Sequence, residues 1–212
     1  MEIMDSLAYA TFFAEDRPDI GTFTYMRKLL GFRKQPVDHY MRPYWLATYW
    51  SIISRRSGSY CYDEKPMHRV HLDYLEEFIR AYAQKRHFSF WWYQDASHDY
   101  LNLIGMMDDD LDKFLRRNED SMENTIFIIF SDHGHRYDRI RETVYKSKIR
   151  MTKYIQINGR LESRLPYLSI RLPTNIKEQF PFVNFFLVDR DELLFSVRKA
   201  TEREHKPHDD TF

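Results

Sequence analysis

The sequence predicts an α/β fold with a mostly parallel sheet flanked by helices. Two continuous apolar segments, 87–93 (HFSFWWY) and 125–130 (TIFIIF), lack polar alternation, as expected of strands covered on both faces. Helical patterns lie before and between these segments, with short connections. With 212 residues, the chain is long enough for one domain with a sizeable core.

The predicted elements alternate along the chain. A first helix is predicted over residues 70–85, where apolar residues recur every three or four positions. A second, over residues 101–120, has a similar stripe, and its acidic run at 108–110 is predicted to be solvated rather than a metal cluster. A third strand is predicted at 165–172. Polar residues follow both apolar strands directly, and in such folds the crevice beyond the strand ends carries the chemistry.

The composition limits the class of protein. Thirty-two basic residues balance thirty-two acidic ones, so no long-range field favours nucleic acid or an anionic membrane. Cys61 is the single cysteine, which excludes an internal disulfide; it either packs as a small apolar residue or pairs outside the chain. The chain contains no run of about 20 apolar residues that would span a bilayer. The N-terminus lacks the basic and apolar regions of a secretory signal.

Carboxylates and imidazoles follow the two apolar strands. Such groups suit a divalent metal ion, zinc by preference, with calcium, magnesium and manganese as alternatives. If the strands are neighbours, five side chains converge on one or two metal positions: Asp95, His98, Asp99, Asp132 and His133. The alternative is a plain turn in which the Asp132 side chain caps the backbone and Gly134 supplies a positive φ. His39, His68, His71 and His87 lack this context and are predicted to be core or surface histidines.

Arginines are dense after the second strand end. Arg136 is the candidate for holding a phosphate or sulfate oxyanion beside the metal, because a guanidinium binds such oxygens in pairs. The alternative is a solvated loop in which the arginines pair with Asp138 and Glu142. No catalytic nucleophile is identified. Ser97 and Thr143 carry hydroxyls near the strand ends, yet nothing in the sequence indicates that either is activated.

Four segments in order carry a resemblance to a known family. They are AEDRPDIGTFTYMRKLLGFRKQPVDHYMRPYW, FSFWWYQDASHDYLN, SDHGHRYDRIRET and GRLESRLPYLSIRLP. Together they resemble the sulfatase-like domain of a family of animal proteins that carries domain of unknown function 229, within the alkaline phosphatase superfamily. The resemblance covers most of residues 7–183, and the ordered combination is more specific than any single segment.

The resemblance implies an alkaline-phosphatase-like core in which a metal-bound nucleophile attacks a phosphate or sulfate ester. It implies that Asp132 and His133 ligate one metal and that Asp95 and His98 correspond to a second metal position. Only two residues separate Asp95 from His98, whereas three are usual in the superfamily. Relatives are secreted or membrane-anchored, so an extracellular or membrane-anchored location is expected.

The chain also departs from the family pattern. In relatives the nucleophile and the first metal-ligating acid precede the region that matches Met1–Arg17, so we expect a partial domain over 1–183 that is inactive alone. Residues 144–158 are an apparent insert, either a genuine loop or a gene-model error, and residues 184–212 form a variable segment with a charged tail. The alternatives are a non-catalytic extracellular binding or structural protein of the same fold, and a truncated product that is barely stable.

Overall fold

The computed structural model describes residues 7–24, 31–135 and 164–179. It is a mixed α/β fold with a short parallel sheet and helices, in agreement with the predicted class at that level. The chain divides into two compact units, residues 1–122 with 133–165 and residues 123–132 with 166–212. No helix in the described ranges is long and apolar enough to cross a membrane. Arg136, the insert at 144–158 and the tail at 184–212 lie outside the described residues.

The first unit contains a three-stranded sheet formed by β1 (Ala10–Glu15), β2 (His39–Tyr40) and β5 (His87–Trp92). The strand order is β2-β1-β5, and both pairings are parallel. β5 confirms the strand predicted at 87–93. We did not predict β1, because a short apolar run does not distinguish a strand from a buried helix until its pairing partners are known.

The elements between β2 and β5 are α1 (Arg42–Tyr49), α2 (Ile52–Arg56), the antiparallel pair β3 (Cys61–Tyr62) and β4 (Lys65–Pro66), and α3 (Met67–Ala81). The helix predicted at 70–85 is confirmed as α3. The buried ring of Phe12 on β1 packs against Phe78 of α3, with ring centroids 4.9 Å apart. The apolar stripe of α3 therefore covers one face of the parallel sheet.

The helix predicted at 101–120 is interrupted. A 3-10 helix over Leu101–Met107 leads into α4 (Asp108–Arg117), and a further 3-10 turn spans Asp120–Met122. Asp108 and Asp109 are exposed in the first turn of α4, as predicted, where negative charge favours the helix dipole. Asp110 differs, because its carboxylate lies 2.8 Å from Nε2 of the buried His68 on α3.

The second unit contains β6 (Phe127–Phe130), β7 (Leu168–Arg171) and α5 (Thr174–Gln179). These strands confirm the apolar segments predicted as strands at 125–130 and 165–172. The described pairing of β6 is with β7, and it is antiparallel, with Ile128 opposite Ile170. We expected β6 to have a parallel partner and to be covered on both faces. Instead its partner is antiparallel, and Ile128 and Phe130 are 48% and 45% exposed, because an apolar run by itself fixes neither strand direction nor burial.

Candidate functional site

The carboxyl ends of β1 and β5 lie at the same edge of the parallel sheet. Glu15, the last residue of β1, is in register with Trp92, the last residue of β5. The chain continues from β1 into Asp16 and Arg17, and from β5 into the turn at 93–99. Parallel pairing thus brings polar residues that are far apart in sequence to one edge. The strands are β1 and β5, whereas we expected β5 and β6 to be neighbours; among the described residues β6 pairs with β7 in a separate two-stranded sheet.

Asp16 connects the two strand ends. Its side chain is fully buried, and its two carboxylate oxygens accept the backbone N–H groups of Gln94 at 2.9 Å and Asp95 at 2.7 Å. Burial raises the pKa of Asp16 to about 7, while the two N–H groups act in the opposite direction. The carboxyl group is therefore a fixed structural acceptor that holds the turn after β5 against the end of β1.

Arg17 brings a guanidinium to this edge. Its Nη1 lies 3.1 Å from Asp95 Oδ1, and its Nε and Nη2 atoms bind the two oxygens of Asp19 at 3.0 and 2.9 Å. These bonds to Arg17 lower the pKa of Asp19. Asp95, a predicted metal ligand, is thus at the predicted strand end and is engaged by a cation that the sequence did not lead us to select.

Two tyrosines stand near these carboxylates. The buried Tyr93 hydroxyl has no hydrogen-bond partner among the described residues, and burial followed by the charges of Asp16 and Asp95 raises its pKa. Tyr60 has a φ of +63°, a left-handed conformation that is uncommon for a bulky residue and recurs at functional sites. Burial, and then the charge of Asp95, raises the pKa of Tyr60.

Of the predicted ligands on the turn after β5, His98 and Asp99 are exposed, whereas Asp95 is largely buried. The backbone N–H groups of Ser97 and His98 both donate to the Gln94 carbonyl at 2.9 Å, which closes the turn. His98 Nδ1 lies 2.7 Å from Asp99 Oδ1, and both side chains are largely accessible to solvent. The structure therefore places Asp95, His98 and Asp99 on one turn, with His98 and Asp99 bound to each other.

His135, which we did not select from the sequence, contacts the same turn. Its Nδ1 lies 3.2 Å from the carbonyl oxygen of Ser97, and because a carbonyl only accepts, Nδ1 carries the proton. In the neutral ring the other nitrogen, Nε2, is a lone-pair acceptor, and it is buried without a hydrogen-bond partner among the described residues. Histidines that ligate metals hold their second nitrogen in this way.

The remaining predicted ligands are Asp132 and His133. Asp132 belongs to the second unit and His133 to the first, so the Asp-His pair spans the boundary between the units along the chain. His133 Nδ1 lies 2.7 Å from the Gly134 carbonyl oxygen. Within the described residues, no three His, Cys, Asp or Glu side chains are gathered closely enough to hold a metal ion.

Comparison with known proteins matches the chain to one protein family. A family model described as "Protein of unknown function (DUF229)" matches residues 2–194, which is most of the chain. No curated protein and no solved structure matches the chain.

Proposed function

Because the chain belongs to the DUF229 family, we propose that it forms part of a sulfatase-like, metal-dependent hydrolase of phosphoric or sulfuric esters. The proposal includes an alkaline-phosphatase-like core and an extracellular or membrane-anchored location. The observation that supports it best is the edge at which Asp16, Arg17 and Asp95 meet beyond two parallel strands. Strand ends of this kind are where α/β folds place ligands.

The donor atoms proposed for the metal have suitable chemistry. The set is Asp95, His98, Asp99, Asp132 and His133, to which we add His135, and carboxylate oxygens with imidazole nitrogens suit zinc. The buried lone-pair nitrogen of His135 is consistent with such a role. Other donors are engaged by protein groups, Asp95 by Arg17 and His98 by Asp99. A metal would therefore compete with these contacts, and we derive no chemical step through it.

Arg17 is the described residue that supports binding of the ester in this proposal. Arg17 supplies a guanidinium at the edge, and guanidinium groups bind phosphate or sulfate oxygens in pairs. Asp19 and Asp95 hold that guanidinium in place, so an entering oxyanion would replace one carboxylate as its partner. Arg136 remains the second candidate for the same role.

The first experiment measures zinc binding by competition with a chromophoric chelator. We expect Asp95→Asn and His135→Phe each to lower zinc affinity about 10-fold or more, as loss of a ligand or its support does. The matched control is Asp112→Asn, which removes an exposed carboxylate paired with Arg116 on α4. Equal zinc affinity in all variants and in the unmodified chain would exclude the proposed ligand set.

The second experiment measures nitrophenol release from aryl phosphate and aryl sulfate esters in the presence of zinc. Metal-dependent release that Asp132→Asn abolishes supports the hydrolase. Zinc binding without release supports the second candidate, a non-catalytic binding or structural protein of the same fold. That candidate is favoured by the mutual pairing of the charges at the edge, since Arg17 already has two carboxylate partners.

A further inference from the structure

The short helix α2 exposes apolar as well as basic side chains. Ile52 and Ile53 are 60% and 46% exposed, and Trp50, just before the helix, is 67% exposed. Ser54 is only partly exposed, and no residue of α2 is buried. A helix on a water-facing surface usually places isoleucine inside and serine outside. The exposed side of α2 is therefore unusually apolar.

The backbone that carries these side chains is hydrogen-bonded by serine side chains at both ends of the helix. Ser51 caps α2, because its Oγ accepts the N–H of Ser54 at 3.0 Å. At the other end, Ser57 Oγ donates to the Ile53 carbonyl oxygen at 2.7 Å. The exposed apolar residues are thus presented by a capped helix and do not lie in an unpaired loop.

The chain segment that contains α2 carries charge of one sign, although the net charge of the whole chain is zero. Residues 39–62 contain no Asp or Glu, and Arg55 and Arg56 in the last turn of α2 are both exposed. The next acidic residue is Asp63, whose backbone N–H donates to Ser57 Oγ at 2.7 Å. Asp63 therefore lies beside the C-terminal end of α2, and Asp63 and Glu64 are the first acidic residues after this apolar and basic segment.

We propose that this surface, the α2 patch of Trp50, Ile52, Ile53, Arg55 and Arg56, docks the protein on a bilayer that contains anionic lipids. Tryptophan favours the membrane interface, isoleucine gains by leaving water, and arginine pairs with lipid phosphate. A soluble polyanion would use the arginines and leave the apolar residues in water. A symmetric contact with a second copy would bring the exposed arginines of both copies close together, which like charge disfavours.

The test measures co-sedimentation of the full chain with phosphatidylcholine vesicles, with and without about 30% phosphatidylserine, followed also by tryptophan emission. Each arginine near an anionic surface contributes about fivefold in affinity, so Arg55→Gln with Arg56→Gln is expected to lower binding roughly 25-fold. Ile53→Ser is expected to lower it about 10-fold. The matched control is Ile104→Ser, because Ile104 is 47% exposed in the 3-10 helix before α4.

Neutralising the acidic residues that follow the patch is expected to have the opposite effect. Asp63→Asn with Glu64→Gln is expected to strengthen binding to the anionic vesicles, because it removes the acidic residues beside the patch. Binding that Ile53→Ser leaves unchanged, or that phosphatidylserine does not increase, would overturn the proposal. So would a dimer that Ile53→Ser dissociates, or heparin binding by a chain that does not sediment with vesicles. None of these measurements depends on ester hydrolysis.

Discussion

Arg17 Nη1 lies 3.1 Å from Asp95 Oδ1, so an ion pair joins the residues that follow two neighbouring parallel strands. The same guanidinium binds Asp19 through its other nitrogen atoms. Any ligand that needs the Asp95 carboxylate must therefore displace Arg17 or share its charge. This relationship makes the pairing of Arg17 the first feature to test.

A double-mutant cycle with Arg17→Gln and Asp95→Asn measures this pair. Both side chains are partly exposed, so solvent screens the interaction, and we expect a coupling free energy of about 1 kcal/mol from urea unfolding. The comparison pair is Arg116 with Asp112, which is exposed and is expected to show no measurable coupling. Additive effects of the two primary substitutions would show that the contact does not hold the strand ends together.

Asp16→Asn is expected to destabilise the protein by roughly 2 kcal/mol. An asparagine offers one oxygen, so one of the backbone N–H groups of Gln94 and Asp95 would face an amide NH₂ in a buried place. Urea unfolding at pH 7 measures the loss. The matched control, Asp19→Asn, alters a partly exposed carboxylate and should cost clearly less. A loss for Asp16→Asn no larger than that of the control would contradict the structural role of this carboxylate.

Because His71 is buried, acid is expected to lower the stability of the folded state. The ring is fully buried, neither nitrogen has a hydrogen-bond partner among the described residues, and burial lowers its pKa from 6.5 to about 3. The lowered folded-state pKa means that the stabilisation is complete above pH 6.5 and is lost as pH falls from 6.5 towards 3. The slope is at most about 1.4 kcal/mol per pH unit.

The contribution of His71 to the pH dependence of stability is measured by urea unfolding of the unmodified chain and of His71→Leu between pH 7.5 and 4.5. The leucine variant lacks the imidazole, so its stability should fall less steeply with acid than that of the unmodified chain. At pH 7.5 the substitution should cost little, because it leaves no polar partner behind. Parallel curves for the two proteins would exclude His71 as the source of acid sensitivity.

Glu76→Gln is expected to loosen the contact between α3 and α4. The largely buried Glu76 carboxylate accepts from Arg117 Nε at 3.1 Å and Nη2 at 2.7 Å, and this bonding lowers the pKa of Glu76. The stabilisation should be present above pH 4.5 and fall in stronger acid. Because Arg117 is well exposed, we expect a cost of about 1 kcal/mol at pH 7. The control is Glu77→Gln, because Glu77 is the exposed neighbour of Glu76. Equal unfolding midpoints for the two variants would refute the prediction.

The sequence by itself determined the elements with strong local patterns. The stripe over 70–85 predicted α3, because helical periodicity reports which side chains must leave water. Unbroken apolar runs predicted β5 and β6, and the segment 165–172 predicted β7. It also indicated that polar residues such as Asp95 follow a strand directly. The core positions of His68 and His71 agree with their lack of a polar context in sequence.

The tertiary structure decided which strands are neighbours and which polar groups meet. Pairing depends on contacts between residues far apart in the chain, and local pattern carries no information about them. Hence β1 was found only through its pairing with β2 and β5, and β6 proved antiparallel to β7. For the same reason the contacts of Asp16 with residues 94 and 95, of Arg17 with Asp95 and of His135 with Ser97 were not predictable from sequence.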